Sequence, residues 1–525
     1  MKGFLFILTS IPVMSIAQIA TIQEKEYQHN DIAQVGQISE IRADGIAADS
    51  TGMRTVSSVE LAKEMVPGWN VGNSLEATGG ETSWGNPLIS QRLIDSIKAA
   101  GFHAVRIPVA WSSHFSDAST FTIDTAWLTR VEQVVNYVLK DSMYAILNEH
   151  WDGGWMQPTY AQQVYVNNRL AVMWRQIVIR FRDYGDHLLF AGMNEVMVTN
   201  NYGTPTVEYY TVHNSFNQTF VTTVRSTGGR NFYRYLAVQG FNTNIDHTVN
   251  FFAIPQDAVQ QKRLLIEVHY YDPYNFTINT GSGFTTQWEN NAAIKTDTWA
   301  NESWADGQFQ KMKTKYIDKG YGVILGEYGV VARLSLGSAA LNASFASYRK
   351  YYMEYVTRSI ARHGLIPIYW DNGGTGNNGM GIFNRSNGSQ AYPDIVKAVV
   401  DTSERSSSTG INELPLNQTP GEYSLTQNYP NPFNPSTTIS FSLPYKSFVS
   451  LKIFDLMGRE VTSIVSRGLL AGSYSEKWDA SMMSSGIYFY RLSAVPTEQR
   501  DLITTNSRDV QVGSFTETKK LVLLR

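Results

Sequence analysis

The sequence predicts an α/β fold, a (β/α)8 TIM barrel followed by a small C-terminal β-sandwich, and three observations predict it. Between residues 56 and 402, eight short apolar or β-branched runs alternate with stretches of helical periodicity. No glycine-rich phosphate loop follows the first run, which argues against an open doubly wound sheet. Beyond residue 422 the pattern changes to strand-like runs separated by turn residues, the signature of a small sandwich.

Met1-Lys2 and the apolar stretch "GFLFILTSIPVMSIAQ" carry one positive charge, a short hydrophobic core and the small residues Ser15 and Ala17. This predicts a signal peptide over residues 1–17 and an exported protein. Residues 18–55 are polar, without sustained periodicity, and read as a linker. The barrel runs are "GWNVG" (68–72), "AVRIPV" (104–109), "YAILN" (144–148), "LLFAGMNE" (188–195), "YLAVQGF" (235–241), "LLIEVHYY" (264–271), "VILGEYG" (323–329) and "IPIYWDN" (366–372). Between them, stretches such as "TAWLTRVEQVVNYVLKD" place apolar residues three and four apart, as a helix packed on a sheet requires. Residues 403–422, rich in Ser, Thr, Pro and Gly, read as a second linker. From 423 to 525, "STTISFSLP", "VSLKIFDLMG", "GSYSEKWDA", "GIYFYRLSA" and "KKLVLLR" supply the sandwich strands.

Composition excludes several classes of function. A net charge of -3 over 525 residues gives no general attraction to phosphate backbones, so no nucleic-acid partner is expected. The absence of cysteine removes disulfides, thiolate nucleophiles and cysteine metal sites. After the N-terminal stretch no segment reaches the ~18 apolar residues of a membrane span. The expected assembly is a monomer.

In a barrel of this kind chemistry sits at the C-terminal strand ends. There the sequence places Arg106 in the second run, His150 after the third, Asn194 and Glu195 at the fourth, His269 and Tyr271 at the sixth, Glu327 at the seventh and Trp370 at the eighth. Glu195 and Glu327 each lie in a stretch that otherwise reads as buried, and an unpaired buried charge is costly. Two such carboxylates, with an arginine and two histidines on other strands, are therefore expected to converge on one site. A carboxylate pair is what glycosidic cleavage needs, one to protonate the departing oxygen and one to attack or to activate water. Eleven of the twelve tryptophans fall between Trp69 and Trp370, and Trp84, Trp151, Trp155 and Trp288 are expected on loops beside the cleft, offering flat faces to sugar rings. His150 and His269 could ligate a metal, but no His-x-His or HExxH accompanies them, so neither metal nor cofactor is expected.

These residues resemble glycoside hydrolase family 5, the endo-acting β-glycanases, and most closely its broad-specificity endoglucanase and xyloglucanase branch. The resemblance rests on "GWNVGNSLEA" with "WGNP", "VRIPV", "NEHWD", "MNEV", "VHYYDP", "GEYG" and "YWDNG", in that order. It implies that Glu195 is the general acid/base and Glu327 the nucleophile. Arg106 would keep Glu327 ionised, Asn194 would bond the sugar 2-hydroxyl and Tyr271 would orient the nucleophile. The two histidines would fix hydroxyls and tune the acid, and Trp370 would floor the reacting sugar. Relatives often carry a second histidine where Trp151 follows His150, which leaves open the choice among cellulose, xyloglucan, mixed-linkage glucan, mannan and xylan. A catalytically silent glycan-binding protein is the alternative of another class, and it has no use for a nucleophile. The C-terminal hundred residues resemble a type IX secretion sorting domain through "NYPNPFNPSTTISFSLP", "LKIFDLMGREV", "SSGIYFYRL" and "TKKLVLLR". The implied partners are a β-glucan polysaccharide and the type IX secretion machinery.

Overall fold

A computed structural model describes residues 45–524 apart from 151, 261, 289–295, 408–421, 429, 446, 470–471, 482 and 497–513. The expected signal peptide, Trp151 and most of both expected linkers lie outside the described residues. The chain divides into two units at residues 407 and 408.

The first unit is a closed barrel of eight parallel strands: β1 (Gly68–Val71), β2 (Ala104–Ile107), β3 (Tyr144–Asn148), β4 (Leu188–Ala191), β5 (Leu236–Gln239), β6 (Leu264–Tyr270), β7 (Gly322–Tyr328) and β8 (Ile366–Asp371). Each strand pairs with the next, and β8 closes on β1 with Gly68 opposite Ile368. From β1 to β7 every strand residue is buried, because one face fills the barrel and the other meets the helices. Side chains such as Ile146, Leu189, Leu265, Ile324 and Ile368 fill the interior. A helix at Ser58–Glu64, started by a reciprocal Ser57–Glu60 capping box, adds Leu61 to that interior cluster, and Met65, its C-cap, joins it.

The expected linker boundaries shift at both ends. Attachment begins before residue 56: Ala48 bridges Gly229, Met53 is buried, and Arg54 pairs with Asp186 at 2.6 Å. The final helix, Pro393–Ser407, continues past residue 402, and its apolar face, including Ile395 and Val399, belongs to the barrel core.

One irregularity decides where a functional side chain points. Strand β7 carries an extra residue relative to both neighbours, so that Val268 faces Leu325 but His269 faces Glu327. The bulge falls at Gly326, where an added Cβ would lie 2.3 Å from Glu267 Oε1 and 3.0 Å from His269 Nε2. Only glycine lets the strand bulge while those side chains approach.

The second unit is a β-sandwich. One sheet holds β9 (Ser424–Leu425), β10 (Ser436–Leu443) and β13 (Gly472–Asp479); the other holds β11 (Ser447–Phe454), β12 (Glu460–Leu469), β14 (Gly486–Pro496) and β15 (Phe515–Leu523). Ile439 and Phe441 of the first sheet and Leu451, Ile453, Leu492 and Leu521 of the second form one core. Strand β12, "EVTSIVSRGL", is absent from the sequence expectation. With Val465 its one buried residue it shows little apolar alternation, and pairing to β11 holds it in the sheet.

Candidate active site

The expected residues come together at the C-terminal mouth of the barrel. Arg106, fully buried on β2, is the hub: it donates to Asn70 Oδ1 at 3.1 Å, to Glu327 Oε1 at 3.0 Å and to Asn194 Oδ1 at 2.7 Å. Its Nε lies 2.8 Å from Glu267 Oε1, an ion pair with no solvent exposure on either side chain. Glu267 in turn accepts from Gln239 Nε2 at 2.6 Å, and Asn70 donates to the carbonyl of bulged Gly326 at 2.8 Å. Arginine is thus held by carboxylates on β6 and β7 while it fixes the amide of Asn194, whose Nδ2 is left as a donor.

Glu327 also accepts from the Tyr271 hydroxyl at 3.1 Å. Burial raises its carboxyl above the ordinary value of 4.5; the charges of His269 and Arg106 pull it back, and those of Glu195 and Glu267 add to the rise. Arg106 lowers the value, as expected, but the net direction is upward because desolvation is the largest contribution. Its surrounding donors nevertheless match an ionised carboxylate. Tyr271 stays a phenol: burial, then the charges of Glu327 and Glu195, lift its hydroxyl well above the ordinary range.

Glu195 differs in exposure, its side chain 40% accessible against 6% for Glu327. It accepts from His269 Nδ1 at 2.7 Å. His269 is buried, which alone would lower its pKa, yet Glu327, Glu195 and Glu267 together raise it to about 9. A cationic imidazole therefore sits among three carboxylates. His150 has the opposite fate: burial first, then the charges of Arg106 and His269, hold it neutral, well below 6.5. Its ring lies against Trp370, centroids 5.6 Å apart and planes 6° apart, and its Nδ1 meets Asn148 Nδ2 at 3.1 Å. Gly72 makes room for that tryptophan, since a Cβ there would fall 2.8 Å from its ring.

One ligand atom each from Glu195, His269 and Glu327 lies within 4.8 Å of the others. This bounds the closest oxygens of the two glutamates. It is also the one group among the described residues that could hold a metal ion, although Arg106 already places a cation 3.0 Å from Glu327. Two cavities flank Glu195. One of about 570 Å³ includes His150, Asn194, Glu327 and Trp155; the other, of about 610 Å³, includes His269, Tyr271, Asn242 and Asp246.

The loop tryptophans divide. Trp84 is 45% exposed, and Trp155 lines the smaller cavity beneath Arg169, which stands 4.2 Å over its ring. Trp288 is a correction: it is 2% exposed, packs edge-on to Tyr352 and donates to the Ala300 carbonyl, so it belongs to the core. Sequence reasoning missed Asn70, Gln239 and Glu267. The signal was present in each case as a polar residue inside an apolar run, the same pattern that exposed Glu195 and Glu327.

A parallel barrel with paired carboxylates, a buried arginine and a tryptophan stacked on a histidine at its C-terminal mouth is the frame of a carbohydrate-cleaving hydrolase. The chain belongs to glycosyl hydrolase family 5: the cellulase model of that family matches residues 70–376. The chain is 44% identical to a xyloglucan-specific endo-β-1,4-glucanase of Bacteroides ovatus, over 68% of this chain and 72% of the relative. It is 38% identical to endoglucanase A of Paenibacillus barcinonensis, over 67% and 92%. Among solved structures, a Bacteroides ovatus family 5 xyloglucanase in complex with a XXXG heptasaccharide superposes with a TM-score of 0.66 at 40% identity, covering 70% of this chain and 80% of that one. A secretion-system C-terminal sorting domain matches residues 427–503, marking the protein for type IX export to the cell surface or beyond. Among the described residues no helix is long and apolar enough to cross a membrane.

Proposed function

We propose that this protein is a retaining endo-β-1,4-glucanase acting on internal bonds of cellulose-like β-glucans, with xyloglucan and mixed-linkage glucan among its substrates. The observation that carries the reading is the approach of Glu195 and Glu327 oxygens to within 4.8 Å. Retaining glycosidases hold their carboxyl groups ~5 to 5.5 Å apart, whereas inverting ones leave ~6.5 to 9.5 Å for a water.

In this reading Glu327, gripped by Arg106 and Tyr271, attacks the anomeric carbon, and Glu195 gives its proton to the departing oxygen. The more exposed position suits Glu195 to the second step, in which it takes a proton from incoming water while the glycosyl ester on Glu327 breaks. The Asn194 amide, its orientation fixed by Arg106, donates to the 2-hydroxyl, a contact that strengthens as charge develops on the ring. Trp370, braced by neutral His150, forms the floor beneath the reacting sugar.

The sandwich, beginning at 423, serves export rather than hydrolysis. The test of the activity is a panel of carboxymethyl cellulose, xyloglucan, mixed-linkage glucan, mannan and xylan. Reducing ends and a rapid fall in viscosity are expected on the glucans; activity confined to mannan or xylan, or release of single terminal units at constant viscosity, would overturn the reading.

A further inference from the structure

We propose that Trp299 and Trp304 form a sugar-binding platform outside the cleft, which holds one stretch of a long β-1,4-glucan while another stretch of the same polymer occupies the site at Glu195 and Glu327. This rests on the endoglucanase reading above and adds a second place where a polymer, as distinct from a short oligosaccharide, touches the protein.

The two indoles stand out because tryptophan is ordinarily buried over most of its surface. Trp299 is 45% exposed and Trp304 is 39% exposed. Their ring centroids lie 5.5 Å apart with the planes at 88°. A perpendicular pair makes a corner rather than a stack, so ring surface stays open to the C–H face of a pyranose.

Both rings are held before any ligand arrives. Trp304 Nε1 donates to Asp272 Oδ2 at 3.0 Å, and Lys311 Nζ stands 5.7 Å from its ring centroid. Its backbone lies in the first turn of the helix Glu302–Lys315, where its amide donates to the capping Asn301 Oδ1 at 3.2 Å. Trp299 is presented by strain. The residue after it, Ala300, takes φ 57°, a left-handed conformation that is costly for any residue with a Cβ. The Ala300 carbonyl accepts from buried Trp288 Nε1 at 2.7 Å, so a core side chain holds the turn beside which Trp299 is exposed. Such strain persists only where its surroundings enforce it, and it gathers at sites that bind. Rings fixed in this way lose little freedom when a sugar stacks on them.

Continuity with the cleft supplies the occupant. Asp272, which anchors Trp304, follows Tyr271, the donor to Glu327, and with the exposed Tyr274 it lines the cavity of about 610 Å³ that reaches Glu195. Lys311, beside Trp304, pairs at 2.5 Å with Asp246 of the same cavity. Two side-chain contacts thus tie the platform to the rim where a polymer longer than the cleft emerges. With every ring hydroxyl equatorial, a β-1,4-glucan offers flat apolar faces along its length. A second copy of the protein is a poorer occupant, since a standard interface buries about 800 Å² per partner and two half-exposed indoles supply only a fraction of that.

The experiment uses the full chain with Trp299→Ala, which leaves the Trp304–Asp272 bond in place, and separately with Trp304→Ala; thermal unfolding establishes that each is folded. Polymer binding is read by affinity electrophoresis through hydroxyethyl cellulose in a Glu327→Ala background. Hydrolysis is read with Glu327 intact, on the soluble polymer and on cellotetraose, which is too short to reach from cleft to platform. Trp299→Ala should weaken polymer binding and raise KM on the polymer by about tenfold, because a second contact on one chain adds to its avidity, while kcat/KM on cellotetraose stays within about twofold. Equal losses on both substrates would make the rings part of the cleft, and unchanged polymer binding would leave them as surface packing; either overturns the platform. A dimer that dissociates in Trp299→Ala, followed by sedimentation, would overturn it in favour of a second copy. A wild-type enzyme inactive on every β-1,4-glucan would remove the endoglucanase reading and the platform with it.

Discussion

Arg106 and Glu267 form an ion pair of 2.8 Å with neither side chain exposed, and the same arginine donates to the proposed nucleophile, Glu327. The pair is costly to form in isolation, because both charges lose water, and the surrounding hydrogen bonds offset the cost. Removing one partner leaves the other charged and buried. Glu267→Ala should therefore destabilise the barrel by about 3 to 5 kcal/mol. Thermal and denaturant unfolding check this, and Glu267→Gln, which can still accept from Gln239, should lose less. A Glu267→Ala barrel as stable as wild type would show that Arg106 is satisfied by Glu327 and the amides alone.

His269 makes stability depend on pH. Its ordinary pKa is 6.5, and three carboxylates raise it to about 9 in the folded protein. A group raised on folding contributes stability that is fully present below its unfolded pKa and is lost as pH rises through the folded value. The melting temperature should fall between about pH 6.5 and 9, by an amount corresponding to ~3 kcal/mol at most. In His269→Gln the decline across that window should be visibly shallower, as differential scanning calorimetry can show.

Glu327 sets the acid limb of activity. It must be ionised to attack, and burial raises its pKa above 4.5, so kcat/KM should be lost as pH falls through an apparent value above 4.5. His269 opposes that rise with its positive charge. His269→Gln should then move the acid limb to higher pH in a kcat/KM profile, beyond any drop in the plateau rate. An unmoved limb would show that another group governs it.

The barrel was legible because its strands are bounded apolar runs at regular spacing, and because polar residues at their ends have few structural reasons to be there. The same logic, applied to every polar residue of the runs, would have found Asn70, Gln239 and Glu267 as it found Arg106. It passed over them because an isolated polar residue within a run reads as a packing exception until its partners are known. The Gly326 bulge was not legible at all: "GEYG" contains the glycine, but only pairing to β6 and β8 shows that it adds a residue and turns Glu327 toward His269. Trp288 was misplaced for a different reason. Tryptophan in a loop can turn either way, and here the aromatic face of Tyr352 captures it.

The two glutamates should fail differently, and the difference assigns their roles. Replacing Glu327 with Ala removes the atom that bonds to the anomeric carbon, so the first step should collapse for every substrate, by roughly four orders of magnitude or more in kcat. Replacing Glu195 with Ala removes only the proton. An aryl β-cellobioside whose phenolate departs unaided should still form the glycosyl ester on Glu327, giving a burst of phenol followed by slow turnover, because the base that activates water is also gone. Azide needs no base. It should restore turnover of Glu195→Ala and yield a β-glycosyl azide, the outcome of two successive inversions at the anomeric carbon. Glu327→Ala, lacking the ester, should give either no azide product or the α-azide from one direct displacement. An α-azide from Glu195→Ala would reverse the assignment and make Glu195 the nucleophile, against the grip of Arg106 and Tyr271 on Glu327.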